Sequence, residues 1–508
     1  MKFQTLKKSA AALMAVILIS KVVGVFRDIV LAKYYGTTAV SDAYLIAVSV
    51  PTLIFYFIGH SLSTAYLPMY NQIRQKSGAD KALAYTNNLT CISFLIVTVL
   101  VAVLVAFTEP ILKLFAPGFD EKTMALTVKM VRLSATSLYF MTLVSIWTGY
   151  LQANQNYIIP GAVSLARNAA IIPSIIVAAR FGIAYLGIGL LAAYIAECLL
   201  LLPFAWCANY RPRILLRFRE ENVKETLYLV LPILLGMCVG QLNKMIDRSI
   251  ASTMVTGGIS ALSYASMINT GVQEVLVTGV ITILFASCAE LVAQQQHQRV
   301  KQKLSATINM LAFLLLPATV GLIILAEEFV TNVLCRGSFT AASVQMTAGA
   351  LRCYSCGLVF LAVRDTLVKL FYAYKDTRTT TVTSCLAIAL NIGLNFLLSH
   401  WFGINGLAAA TSLAAMAQCI ALYILLRKKI GDYGTKDTVI VLLKSGAATC
   451  LMAALLMLFK GLHVFFALPS MVSFLILILI GAACYFVAAL LLRIRPLMEL
   501  LQRLRHRT

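Results

Sequence analysis

The chain has 508 residues, of which 60% are hydrophobic and 12% charged, with a mean hydropathy of +0.87. Soluble domains carry about 25% charged residues, so this composition excludes a soluble enzyme and points to an all-α polytopic membrane protein. The formal net charge of +22 does not imply a nucleic-acid partner, because the basic residues gather in short loops between apolar segments.

A span needs roughly 20 apolar residues. On that basis about fourteen transmembrane helices are predicted, at 9–33, 40–68, 84–107, 125–152, 159–180, 183–207, 223–252, 258–292, 303–326, 341–373, 378–400, 404–427, 439–459 and 466–493. The first run continues too long for a signal peptide and lacks a small-residue cleavage site, so it reads as a true span. One set of loops carries Lys2, Lys7 and Lys8, then Arg74, Lys76 and Lys81, the Arg211 to Arg219 run, Arg299 to Lys303, Lys375 and Arg378, and Arg427 to Lys429. The alternate loops are sparse or acidic, as at Glu109 to Glu121 and at Glu327 and Glu328. The positive-inside rule puts the basic set, with both termini, in the cytoplasm. The twelve cysteines are scattered through apolar runs with no disulfide framework, and Cys353 and Cys356 read as small packing residues of a helix rather than a redox pair.

The chain also repeats itself. The run from Phe181 to Gly189 followed by Ala196-Glu197-Cys198 matches the run from Phe402 followed by Ala417-Gln418-Cys419, and Asp28 to Ala32 echoes Asp247 to Ala251. Both matches lie roughly 220 residues apart, which gives two six-helix lobes as parallel repeats about an axis along the membrane normal. The expected division is an N-terminal lobe at 1–208, a basic cytoplasmic linker at 209–222, a C-terminal lobe at 223–430, and two additional helices with a basic tail at 431–508.

A charge at membrane depth costs at least ~3 kcal/mol, so each one asks for a partner, a wet cavity or a ligand. Lys21, Arg27 and Asp28 fall in the first span and Asp42 early in the second. Helical geometry sets 21 and 28 on one face, with 27 about 100° away. Two cations and an acid suit an anionic ligand such as a phosphate, with Asp28 or Asp42 holding an arginine in place; a structural salt bridge between helices is the plain alternative. In the second lobe, Arg352, Arg364, Asp365 and Lys369 lie on the tenth span. Asp247, Asn391, Asn395 and Thr411 offer only hard oxygen ligands, which suits Na⁺ or a proton, or else forms interhelical hydrogen bonds. His60, Arg167 and Glu197 read as solitary residues, each satisfied by packing or reserved for function. There is no Walker loop, HExxH or GxSxG, so neither a built-in ATPase nor a soluble catalytic centre is expected, and no cofactor.

Gly24-Val-Phe-Arg27-Asp28, Ala32, Tyr35-Gly36, Asp42-Ala43-Tyr44 and Pro51 together resemble the opening signature of the MurJ (MviN) lipid II flippase family. That family lies within the multidrug/oligosaccharidyl-lipid/polysaccharide (MOP) exporter superfamily, whose members share a MATE-like architecture. Asp247 to Ser252, Ile259 to Ala265 and Phe371 to Arg378 extend the likeness over most of the chain. The resemblance implies two lobes around a cationic cavity, with a groove for a lipid tail beside the last two helices. It assigns Arg27 to the substrate's diphosphate, Asp42 to a required acid and Asp28 to the acid after that arginine. Lys21 stands where an arginine is usual, which keeps the charge but loses the bidentate fork. Asp247, Asn391, Asn395 and Thr411 fall on positions similar to a sodium site. Two family cations are missing, at the stretch containing Phe55 and Tyr56 and at Met267, and Arg352, Arg364 or Lys369 are the candidates to compensate.

The implied activity is translocation of lipid II, the undecaprenyl-diphosphate-linked peptidoglycan precursor, across a bacterial cytoplasmic membrane by alternating access. Na⁺ or the membrane potential would drive it, and the protein would act as a monomer near cell-wall synthesis proteins. The alternatives are an exporter of another lipid-linked oligosaccharide, a cation-coupled multidrug exporter with an acidic cavity, or a membrane glycosyltransferase with large outer loops.

Overall fold

The computed structural model describes residues 2–56, 59, 61–461 and 469–505, and the regular structure among them is helical throughout. His60 lies outside the described residues. Nine described helices are long and apolar enough to cross a membrane, and counting two bent pairs as single spans gives eleven. The count of fourteen is not reproduced, and α2 (Ala39–Phe55), at 17 residues, falls short of a crossing length. The segment expected as one span at 40–68 is two helices, α2 and α3 (Ser61–Ser77).

The helices pack into two compact units. The first comprises Met1–Ser260 with Arg336–Phe339, and the second Ala261–Cys335 with Thr340–Thr508. The first contains α1 (Lys2–Tyr35), α2, α3, α4 (Ala79–Ala106), α5 (Thr108–Phe115), α6 (Glu121–Ser134), α7 (Ser137–Ala153), α8 (Ile158–Gly161), α9 (Val163–Phe181), α10 (Ala184–Cys207) and α11 (Glu221–Ser252). Because α11 packs on α3, α5, α2 and α4, the packing boundary falls one helix later than the non-helical linker after α10.

Burial of aromatic rings organises this first unit. Tyr66, Tyr85, Trp147, Tyr150 and Tyr210 share one core. Buried phenols need partners: Tyr66 Oη pairs with Thr86 Oγ1 at 2.8 Å, Tyr85 Oη with Thr226 Oγ1 at 2.8 Å, and Tyr150 Oη donates to the Ala208 carbonyl at 2.7 Å.

The second unit holds α12 (Gly258–Ala293), α13 (His297–Ile324), α14 (Ala326–Leu334), α15 (Ala341–Cys356), α16 (Leu358–Ala373), α17 (Thr377–Phe402), α18 (Ile404–Ile430), α19 (Thr435–Lys460) and two further helices, Ser470–Leu491 and Arg495–Arg505. One core joins α12, α13, α16 and α18 through Leu284, Leu304, Phe371 and Leu422. A separate core fastens α19 and Ser470–Leu491 to α13 through Phe313, Met452 and Leu477.

The segments expected at 125–152 and 341–373 are each broken into two helices meeting at 45°. At the second break a Cβ on Gly357 would lie 2.6 Å from Ser412 Oγ. Ser412 Oγ donates to the Cys353 carbonyl at 2.7 Å, so a hydroxyl from α18 takes up the acceptor that the bend releases.

The repeat is written in the backbone as well. Left-handed residues recur as Gly36 (φ 54°) and Gly257 (φ 85°), Gln155 (64°) and Lys375 (58°), and Gly182 (124°) and Gly403 (56°). Each pair is separated by roughly 220 residues, and the short helices α5 and α14 and the two breaks keep the same offset. A repeat that reproduces turns as well as helices is two copies of one fold.

Candidate functional site

Within the first unit a cavity of about 340 Å³ opens between α1 and the α8–α9 segment, lined by Ile17, Ser20, Lys21, Arg27, Gly161, Ser164, Arg167 and Asn168. On α9 the residues 164, 167 and 168 follow the i, i+3, i+4 spacing that puts them on one face. Glycines let the two helices approach. A Cβ on Gly161 would come 2.6 Å from Leu13 Cδ1, and one on Gly24 would touch Asn168 Nδ2 at 3.7 Å. Gly24 sits one turn from both Lys21 and Arg27, so one of these close contacts lies between the two cations.

Arg27 is held on several sides. Its Nε donates to Asp28 Oδ1 at 2.8 Å, its Nη2 lies 2.7 Å from the same oxygen, and its Nη1 donates to Asn168 Oδ1 at 3.3 Å. Lys21 lines the cavity beside it and is exposed. Thus Lys21 and Arg27 share the cavity while Asp28 serves as the anchor behind Arg27. The face that joins 21 to 28 is not the one that lines it, because two long side chains converge from about 120° apart.

The third cation is Arg167. Its Nε lies 3.1 Å from Glu197 Oε1 of α10, and its guanidinium carbon sits 5.9 Å from the centre of the Tyr194 ring. The Glu197 side chain is 3% exposed and that of Arg167 35%, so a buried acid backs a half-open base. In sequence these two looked solitary. The signal that joins them is tertiary, the packing of α9 on both α1 and α10.

Asp42 does not line the cavity. It is buried, and its carboxylate accepts the backbone N–H groups of Gly257 at 2.7 Å and Ser260 at 2.8 Å. That is the bonding of a cap, supplied from a distant helix to the first turn of α12, which still belongs to the first unit. Asp247 and Arg248 lie on α11, where Arg248 Nη1 donates to the Leu45 carbonyl at 3.3 Å.

The second unit distributes its polar residues differently. Arg352, on α15, pairs with Glu327 of α14 at 3.6 Å, both well exposed. Arg364, on α16, binds its neighbour Asp365 through Nε at 3.0 Å and Nη2 at 2.7 Å, and Asp365 also accepts from Gln273 at 3.3 Å. Twelve residues of bent helix separate the two arginines, roughly 18 Å along the axis, so they do not form one site. Lys369 lies over the Phe285 ring at 5.5 Å. Asn391, Asn395 and Thr411 are joined in a chain. Asn395 Nδ2 donates to Asn391 Oδ1 at 3.2 Å, and Asn391 Nδ2 to Thr411 Oγ1 at 3.5 Å. Among the described residues no cluster of three or more His, Cys, Asp or Glu side chains is arranged to hold a metal.

Two repeats of membrane-spanning helices with a basic cavity in the first unit define a multi-pass transporter fold. Its fold is similar to that of an inward-facing MATE family multidrug resistance transporter of the MOP superfamily, with a TM-score of 0.69, 13% identity, and coverage of 84% of this chain and 98% of that one. The family model for lipid II flippase MurJ matches residues 31–481, and the chain belongs to that family. It is 27% identical to a probable lipid II flippase MurJ of Thermotoga maritima across 96% of this chain and 97% of that one, and 26% identical to one of Bdellovibrio bacteriovorus across 83% and 82%. A lipid II flippase MurJ solved in an inward closed conformation is similar with a TM-score of 0.82 and 25% identity, over 95% of this chain and 98% of that chain.

Proposed function

We propose that this chain is a lipid flippase that carries lipid II, the undecaprenyl-diphosphate-linked peptidoglycan precursor, across a bacterial cytoplasmic membrane by alternating access. The observation that carries the reading is the cavity in which Lys21 and Arg27 converge in a chain of the MurJ family. A phosphate group suits it, since charge-assisted hydrogen bonds from guanidinium to phosphate are strong and geometrically specific. In this reading Arg27 exchanges part of its bonding to Asn168 for a phosphate oxygen, while Asp28 keeps it aimed. Lys21 supplies a mobile point charge, and the polyprenyl tail stays in lipid.

The bound anion offsets repulsion among the cavity's cations, which gives it differential affinity for a closed state and so a means of shifting the equilibrium. Both termini are cytoplasmic in this reading, as the basic loops require. Na⁺, or the membrane potential at ~2.3 kcal/mol per charge per 100 mV, would supply the drive. A second reading, export of a different polyprenyl-diphosphate glycan, is favoured by Phe55, Tyr56 and Met267, which put apolar or aromatic side chains where the family pattern has cations.

The test is rescue. Cells depleted of their own lipid II flippase should grow when this gene is expressed and fail with Arg27→Ala at equal protein level. Full rescue by Arg27→Ala would overturn the mechanism; failure of the wild type, with the protein folded in the membrane, would favour the second glycan.

A further inference from the structure

We propose that Arg167 is a third cation that receives the substrate's diphosphate, and that Glu197 is the positioning residue that holds it at the cavity. The inference rests on the functional reading above and deepens it. Arg167 and Asn168 are adjacent on α9 and line the same cavity as Lys21 and Arg27.

The charges argue for a further contact. Lys21, Arg27, Asp28, Arg167 and Glu197 together carry a formal net charge of +1, with Asp28 against Arg27 and Glu197 against Arg167. A disubstituted diphosphate presents an ionised oxygen on each phosphate, and one guanidinium fork serves a single phosphate well. Arg27 already spends Nε and Nη2 on Asp28. Arg167 makes its ion pair with Glu197 through Nε at 3.1 Å and lines the cavity. Tyr194, one turn before Glu197, backs the guanidinium plane.

The repeat shows that the fold does not need this ion pair. The positions in the second unit that match Arg167 and Glu197 are Ile388 and Gln418. There the same packing of helix on helix is completed by a neutral bond, from Gln418 Nε2 to Ser384 Oγ at 3.0 Å. Since a buried ion pair is no more stabilising than a well-packed neutral replacement, the charged version in the first unit calls for a purpose other than holding α9 on α10. The cavity supplies one.

The test uses the purified full chain in lipid nanodiscs, titrated with undecaprenyl diphosphate and, separately, undecaprenyl monophosphate. The wild type should prefer the diphosphate. The double variant Arg167→Ile with Glu197→Gln removes both charges and installs the side chains of Ile388 and Gln418, and its melting temperature is read alongside to separate loss of fold from loss of binding. It should lose the preference for diphosphate by about tenfold while keeping its affinity for monophosphate. Arg167→Lys should recover part of the preference, and Glu197→Gln should lie between. An unchanged diphosphate preference in the double variant overturns the proposal. If Arg27→Ala also binds diphosphate as the wild type does, the flippase reading fails with it; if only Arg27→Ala loses binding, that reading survives and the role of Arg167 falls.

Discussion

The two halves of this chain use one helical plan for different chemistry. In the first, α1 and α9 carry Lys21, Arg27 and Arg167 into a cavity, with Asp28 and Glu197 behind them. In the second, α17 and α18, the counterparts of α9 and α10, carry Asn391, Asn395, Thr411 and Gln418, which make neutral hydrogen bonds. The turns, the short helices and the breaks are shared between the copies, whereas Arg167 and Glu197 are matched by the neutral Ile388 and Gln418. Packing therefore comes from what the halves share, and the site from where they differ.

The sharpest way to break the comparison is to remove the charge at the centre of the first half. Arg27→Ala should abolish rescue of flippase-depleted cells while membrane abundance stays normal, read by growth and immunoblot together. Next in size is a charge placed in the neutral half. Gln418→Glu buries an acid with no matching base, and it should cost about 3 kcal/mol or more, read as a fall in melting temperature. Adding Ile388→Arg to it should restore part of the loss.

Asp42 gives a third, smaller effect. Asp42→Ala leaves the buried N–H groups of Gly257 and Ser260 without their acceptor, at about 1–3 kcal/mol each. Asp42→Asn keeps one acceptor oxygen and should recover much of that loss in a thermal melt. If Asp42→Ala instead abolished transport with an unchanged melting temperature, a direct role in the cavity would replace the cap.

The smallest effect belongs to a pair at the helix ends. Asp376 accepts from Thr379 N at 3.1 Å and lies 2.5 Å from Lys429 Nζ, and these contacts hold its carboxyl below the usual range. A depressed carboxyl stabilises the fold above its unfolded pKa, and that contribution is lost as pH falls through the folded one. Lys429→Ala should cost about 0–1 kcal/mol at neutral pH and flatten the acid limb of the stability curve.

Much of this was legible in the sequence. Composition gave the membrane class, the long-period match gave the doubled fold, and the cost of charges at depth singled out Lys21 and Arg27. What stayed hidden depends on contacts across long chain separations. Arg167 and Glu197 looked solitary because their pairing, and the approach of α9 to α1 at Gly24, exist only once three helices pack. Asp42 looked like a cavity acid because nothing local shows that its partners are backbone groups more than 200 residues away. The breaks within 125–152 and 341–373 escaped because hydropathy is continuous through them, while the bend at Gly357 is set by Ser412 on another helix.

The account's central claim is that the cavity between α1 and α9 takes the diphosphate of lipid II. The direct measurement is lipid II binding to the purified protein in nanodiscs, wild type against Arg27→Ala, across a range of salt. The account predicts saturable binding by the wild type that weakens with salt, and at least about a tenfold loss in Arg27→Ala. Equal affinity of the two proteins for lipid II would contradict it.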